Sequence, residues 1–266
     1  ENGAGKSTLT KMIAGVVEPT SGELLIDGEK VVLASPSEAL ERGIAMVYQE
    51  TSLVPSLTVA QNIYLTDAKR FHRLRGIYIA GQQFLQSLNF HVDPTAMVSA
   101  LGAGQKQMVE IARAVHHNAQ VIIFDEPTST LTPEEKHQFF ALVARLKARG
   151  VSIIFISHAL EEALAIADRI TVMRDGEHVV TDVTSAFDRE KIVRAMVGRT
   201  LTGELYGSRK DRKAREAGEK VLSVQNLSMG ALVRNTSFSA FAGQITGVFG
   251  LIGSGRTEAA KVVAGV

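Results

Sequence analysis

The sequence predicts an α/β chain: a mostly parallel sheet covered by helices on both faces, followed by the start of a second copy. Three observations carry this. Short apolar runs of strand length alternate with helix-period segments through residues 1–198. A glycine-rich stretch, ENGAGKST (1–8), leads directly into a helical pattern. A similar stretch returns in QITGVFGLIGSGRTEAAKVVAGV at 244–266.

Each element has its own local reason. Ser7 to Ala14 reads as a helix stopped by Gly15, and GELLIDGEKVVL (22–33) as a β-hairpin turned at Gly28, an antiparallel edge. SPSEALERG (35–43) is a short capped helix closed by glycine, and IAMVYQ (44–49) a buried strand. Residues 51 to about 100 carry helical patterning with a turn at Asp93-Pro94, the bulk of a helical insert of about 51–118. In 104–117, Met108, Ile111, Ala112 and Val115 mark one helix face. VIIFDEP (121–127) is a buried strand ending in acids. Pro133 starts a helix with Phe139, Leu142, Val143 and Leu146 on one side, and Gly150 ends it. VSIIFISH then gives another strand, followed by a helix (159–167), two strands (169–174, 177–182) around Asp175-Gly176, and a last helix (188–197). Residues 199–219 interleave Lys and Arg with Asp and Glu and read as a linker. Strand-like patterning resumes with KVLSVQNLS at 220, and QITGVFG is expected to be a further strand. The domain division is therefore 1–198, linker 199–219 and a second copy from 220 to 266.

The bulk numbers exclude several classes. With 45% hydrophobic and 21% charged residues, the 266-residue chain has the make-up of a globular protein. A net charge of +1 provides no basic field, so no nucleic-acid partner is expected. The absence of cysteine rules out disulfides and thiolate metal sites. No apolar run reaches the roughly 18 residues of a membrane span.

The first loop carries the end of the phosphate-binding pattern G-x-x-x-x-G-K-[ST]. Asn2, Gly3, Ala4, Gly5, Lys6, Ser7 and Thr8 form the candidate nucleotide loop, in which backbone N–H groups surround phosphate. Lys6 would reach the β- and γ-phosphates and Ser7 would ligate Mg²⁺. Asp125 and Glu126 end a buried strand, where α/β ligand sites form. Such a pair alone is more often a turn or helix cap; beside a phosphate loop, Asp125 would hold the Mg²⁺ shell and Glu126 would polarise water. His158, one strand and one helix further on, falls next to that pair in a parallel sheet and could contact the γ-phosphate. Gln49, after IAMVYQ, is either a metal or water ligand or a solvent-facing side chain.

In the second copy, Gly250, Gly253, Gly255, Arg256 and Thr257 line up with the first loop if a glycine precedes Glu1. Each copy displays what the other lacks, so the expectation is a fragment of a longer two-domain polypeptide. Such a piece alone is expected to show little ATP turnover.

In order, the P-loop, Gln49, LGAGQKQMVEIARA (101–114), FDEPTSTL (124–131) and ISHALEEA (156–163) resemble the motif set of ATP-binding-cassette ATPases. The likeness covers the first 198 residues, and 220–266 resemble the start of a second cassette. Thr132, the run QMVEIARA and the loop GLIGSGRTE are similar to the tandem ATPase subunit of monosaccharide importers of the ribose/galactose/xylose type. The resemblance implies a P-loop NTPase fold, ATP and Mg²⁺ as ligands, and hydrolysis driving sugar uptake. It also implies transmembrane permease subunits docking on residues 51–100 and Gln49, an extracytoplasmic sugar-binding protein acting indirectly, and a peripheral place on the cytoplasmic face of the membrane. A soluble tandem-cassette ATPase acting on ribosomes is the rival, disfavoured by the short linker and by Arg256. A DNA-repair cassette lacks its zinc-ligand cysteines and heptads here, and an exporter would fuse a membrane domain to the chain.

Two departures from the family pattern fall together. The signature, normally L-S-x-G-Q, reads Leu101-Gly102-Ala103-Gly104-Gln105 and lacks the serine; Gly102, Gly104 and Gln105 could still offer backbone N–H groups to phosphate. The second loop has Arg256 in place of lysine, a bulkier planar cation. In head-to-tail cassettes both departures would share one composite site, which predicts an asymmetric ATPase.

Overall fold

The computed structural model describes residues 3–66, 74–197, 218–230, 233–248 and 254–265. Asn2, Gly250, Gly253 and nearly all of the expected linker lie outside them. The chain divides into two units, Glu1–Thr200 and Leu201–Val266.

In the first unit the elements run α1 (Lys6–Ile13), β1 (Leu24–Ile26), β2 (Glu29–Val31), α2 (Pro36–Glu41), β3 (Ile44–Val47), α3 (Val59–Ile63), α4 (Leu74–Leu88) and α5 (Ala103–His116). Then follow β4 (Val121–Asp125), α6 (Pro133–Ala148), β5 (Ser152–Ile156), α7 (Leu160–Ile166), β6 (Arg169–Arg174), β7 (Glu177–Val183) and α8 (Arg189–Val197). Strands β3, β4 and β5 form a parallel sheet in that order, with Ile44 opposite Val121 and Ile122 opposite Ile153. The hairpins β1–β2 and β6–β7 are antiparallel.

Side-chain alternation along the parallel strands explains why helices lie on both faces. Ala45, Val47, Ile122 and Phe124 join one core with Met108, Ile111 and Ala112 of α5 and Phe139 and Leu142 of α6. Ile44 and Ile123 join another with Ala39 of α2 and Ile13 of α1. Each strand thus sends successive residues to opposite layers, as the two-residue period requires. Phe124 meets Phe139 edge to face at 5.1 Å, locking α6 onto β4.

Caps set the element ends. Ser35 accepts from Glu38 N at 3.3 Å at the start of α2, and Thr58 and Thr132 form capping boxes with Gln61 and Glu135. The hairpin turn Asp27-Gly28 has φ of 52° and 83°, the left-handed pair that suits a two-residue connection. Asp93 Oδ1 accepts from Thr95 N at 2.8 Å and makes the expected turn at Asp93-Pro94.

The second unit holds the antiparallel pair β8 (Lys220–Met229) and β9 (Val233–Phe241), with α9 (Arg256–Ala264) against both. The expected strand QITGVFG is not formed over Gln244–Val248, which carry no strand or helix; Ile245 is 100% exposed. The cause is the lack of a ladder. β8 and β9 pair with each other, and among the described residues of this unit no third strand offers hydrogen bonds to this run.

Candidate functional site

Gly5 caps α1 in the left-handed region (φ 86°, ψ 0°), which turns the loop so that Lys6 opens the helix. A Cβ at Gly5 would lie 3.2 Å from the Cα of Gly176, and Gly176 N donates to Ala4 O at 3.3 Å. The β6–β7 turn therefore backs the loop. Ser7, one residue into the helix, donates from Oγ to Asp125 Oδ1 at 3.4 Å. Thr8 follows on α1, and Gly3 precedes the turn with φ of 91°.

Asp125 is the last residue of β4 and is only 3% exposed. Burial pushes its carboxyl up. The Ser7 hydrogen bond opposes that shift, Glu126 adds to it, and Lys11 and Lys6 work against it. A buried carboxylate so placed fits a hard divalent cation, whose charge would replace the missing compensation. The donors are also those Mg²⁺ takes: one carboxylate and a hydroxyl, with phosphate oxygens and water completing the shell. Among the described residues no cluster of three or more His, Asp or Glu side chains competes as a metal cage.

Glu126 leaves the strand with φ of 51°, a left-handed conformation rare outside glycine, and thereby turns its carboxylate away from the ladder. Its Oε2 is the meeting point of the site. Gln49 Nε2 donates to it at 3.2 Å, and His158 Nδ1 lies 3.2 Å from it. The parallel pairing of β3, β4 and β5 is what assembles these three residues, each just past the C-terminal end of its strand. Gln49 thus faces the acid rather than solvent alone.

The signature residues sit elsewhere. Gly102, Gly104 and Gln105 form the start of α5, with Gly102 N donating to Gln105 Oε1 at 3.3 Å. A Cβ at Gly104 would lie 2.5 Å from Glu135 Oε2, so a larger residue here would have to displace the end of that side chain. Gly255, Arg256 and Thr257 belong to the second unit, where Gly255 caps α9 at φ 78°, ψ 12°.

Two networks went unread in the sequence. Glu110, 1% exposed on α5, pairs with Arg113 Nη2 at 2.6 Å and receives the Ser52 N–H; its Oε1 also accepts from Ser52 Oγ at 3.1 Å. The loop behind Gln49 is thereby tied to the signature helix. An acid three residues before an arginine on one helix face was the available signal. The second network joins Thr128, Lys136, Ser157 and Glu162, side chains that spacing alone does not bring together.

The fold and this constellation define a P-loop nucleotide-binding protein. Residues 1–129 match the family model described as ABC transporter. Across its whole length the chain is 45% identical to the ribose import ATP-binding protein RbsA 1 of Rubrobacter xylanophilus, covering 53% of that protein. It is 41% identical to the ribose import ATP-binding protein RbsA of Chelativorans sp., covering 52% of it. The chain thus spans about half the length of these relatives. Among solved structures, a dimeric ATP-binding cassette in its post-hydrolysis state, bound to ADP and Pi, superposes with a TM-score of 0.62 at 25% identity, over 70% of this chain and 84% of that one. Over residues 1–129 the chain is similar to the ATP-binding-cassette (ABC) transporter family.

Proposed function

We propose that this chain is the ATP-binding and ATP-hydrolysing part of an importer for a simple sugar, working with transmembrane permease subunits at the cytoplasmic face of the membrane. Sugar import rests on relatives named for ribose import that match it over 100% of its length. Hydrolysis rests on one observation above all: Glu126 Oε2 held between Gln49 and His158. In this reading ATP phosphates lie on the loop Asn2–Thr8, with Lys6 at the β- and γ-phosphates. Ser7, Gln49 and Asp125 hold Mg²⁺, which when bound draws charge from the phosphate oxygens. Glu126 orients a water and takes up its proton at Oε2, the position that Gln49 and His158 fix. The imidazole of His158 faces the γ-phosphate on its other side.

The insert and the Gln49 region are the proposed permease contact. Support comes from the Ser52–Glu110–Arg113 network, which would pass a displacement of the insert to the loop bearing Gln49. The domain division 1–198, 199–219 and 220–266, with a second cassette beginning at 220, is proposed on the repeated loop.

The test is Glu126→Gln in the full-length protein. Turnover is expected to fall by about 100-fold or more while ATP binding persists, since the amide cannot accept the proton. Unchanged turnover would remove Glu126 from the reaction.

A further inference from the structure

Two short turns carry the residues that meet at Glu126 Oε2. Glu126 opens the turn after β4, and His158 stands in the turn after β5. Each turn has its own brace. Ser129 Oγ donates to Glu126 O at 3.0 Å, and Ser157 Oγ accepts the Ala159 N–H at 2.9 Å. The side chain that joins them is Glu162 of α7. Its Oε2 accepts from Thr128 Oγ1 at 2.6 Å and from Ser157 Oγ at 3.3 Å, and its Oε1 from Lys136 Nζ at 2.8 Å. Thr128 lies two residues past Glu126 and is 4% exposed; Ser157 directly precedes His158.

We infer that Glu162 is a positioning residue for hydrolysis, holding the Thr128 and Ser157 turns so that Glu126 and His158 meet at one oxygen. This rests on the ATP-hydrolysing reading above and adds a residue outside the reacting atoms. The backbone of Glu126, at φ 51°, is a conformation that persists only where its surroundings over-determine it. A half-buried carboxylate accepting three hydrogen bonds, one from an ammonium, supplies such a constraint. Burial alone would favour the neutral acid. The bonds from Lys136 and Thr128, the Lys136 charge and the Ser157 bond outweigh it and hold the Glu162 carboxyl below its usual range. The lowered value favours the ionised form, which accepts from all three partners. Its neighbour Glu161 is exposed and meets the exposed Arg189 at 3.5 Å.

The test is a double-mutant cycle on the full-length protein, with ATP turnover and nucleotide affinity read separately. Glu162→Ala is expected to slow turnover about tenfold or more, with affinity changed less than about twofold. In a His158→Ala background the same change is expected to lower the residual turnover less than about twofold, because the meeting of Glu126 and His158 that Glu162 maintains is already lost. Thr128→Val, which removes one of the three bonds, is expected to lose part of the rate, and Thr128→Ser to recover it. Glu161→Gln is the control expected to leave turnover unchanged. Losses that multiply independently in the double variant would overturn the inference, as would equal losses of affinity and rate. Should Glu162→Ala not fold, full turnover in Thr128→Val overturns it on its own. An unaltered protein that hydrolyses no ATP is a different failure: it removes the parent reading, and the positioning role with it.

Discussion

Gly5 and Gly255 cap their helices in nearly one conformation, φ 86° and ψ 0° against φ 78° and ψ 12°. The helices behind them run 8 and 9 residues, and each is followed by a left-handed glycine, Gly15 at φ 69° and Gly265 at φ 77°. The surroundings differ. The first loop is backed by Gly176, and Ser7 reaches Asp125. In the second unit the run Gln244–Val248 that precedes the loop pairs with no strand among the described residues. Glycine positions and a helix-period pattern are enough to write a phosphate-loop backbone. The acids that make such a loop a site come from far along the chain.

Removing each loop's cation separates the two loops most strongly. Lys6→Ala is expected to lower ATP turnover of the full-length protein by about 100-fold, the scale of losing one transition-state donor. Arg256→Ala is expected to change it less than about twofold, since Arg256 cannot reproduce a compact ammonium wrapped by backbone. Steady-state hydrolysis by the two variants decides. Equal losses would end the proposed asymmetry.

What could be read in the sequence follows the same division. Strand alternation placed Ile122 and Phe124 in one layer and Ile123 in the other, and the Ser35, Thr58 and Thr132 caps are local patterns. The strand expected at 244–250 failed over its described part because strand pattern says nothing of a partner. Glu126 and His158 could be proposed together because parallel topology puts successive strand ends side by side, whereas the Gln49 contact with Glu126 was left open. Glu110 with Ser52, 58 positions apart, and Glu162 with Thr128, 34 apart, are contacts fixed only by the packing of helices onto the sheet. A charged residue on a helix pattern looks solvent-facing until its partner is placed.

The two closing glycines separate conformation from packing at smaller cost. A Cβ at Gly265 would meet nothing within 4 Å, so Gly265→Ala bears only the left-handed penalty, about 1 kcal/mol. At Gly15 a Cβ would lie 2.5 Å from Ser35 O, in backbone that cannot swing aside. Gly15→Ala is therefore expected to cost about 3 kcal/mol, overpacking added to the same penalty. Chemical denaturation reads the first unit, and hydrogen exchange of the α9 amides reads the second. Similar losses at both positions would mean that the Ser35 backbone yields.

The finest contrast lies inside the site, between two carboxylates with opposite pH behaviour. The Asp125 carboxyl is pushed up, mainly by burial, so its ionisation works against folding. Its contribution is fully present below the ordinary aspartate range and is lost as pH rises through the raised value. Asp125→Asn keeps an oxygen for Ser7 and removes the charge. At neutral pH it is expected to stabilise the nucleotide-free protein by about 1 kcal/mol, roughly 2–4 °C in Tm, while abolishing the Mg²⁺-dependent part of nucleotide binding. Glu162 runs the other way. Its carboxyl is held down despite burial, so its stabilisation is present above the ordinary glutamate range and is lost as pH falls through the lowered value. Glu162→Gln is therefore expected to lower Tm at neutral pH, with the gap to the unaltered protein closing on acidification. For Asp125→Asn the gain also shrinks on acidification, because the unaltered side chain then takes up its proton. Thermal melts of both variants across pH 4–8 read the signs, and a destabilised Asp125→Asn at neutral pH would mean that Lys6, Lys11 and Ser7 already compensate the buried charge.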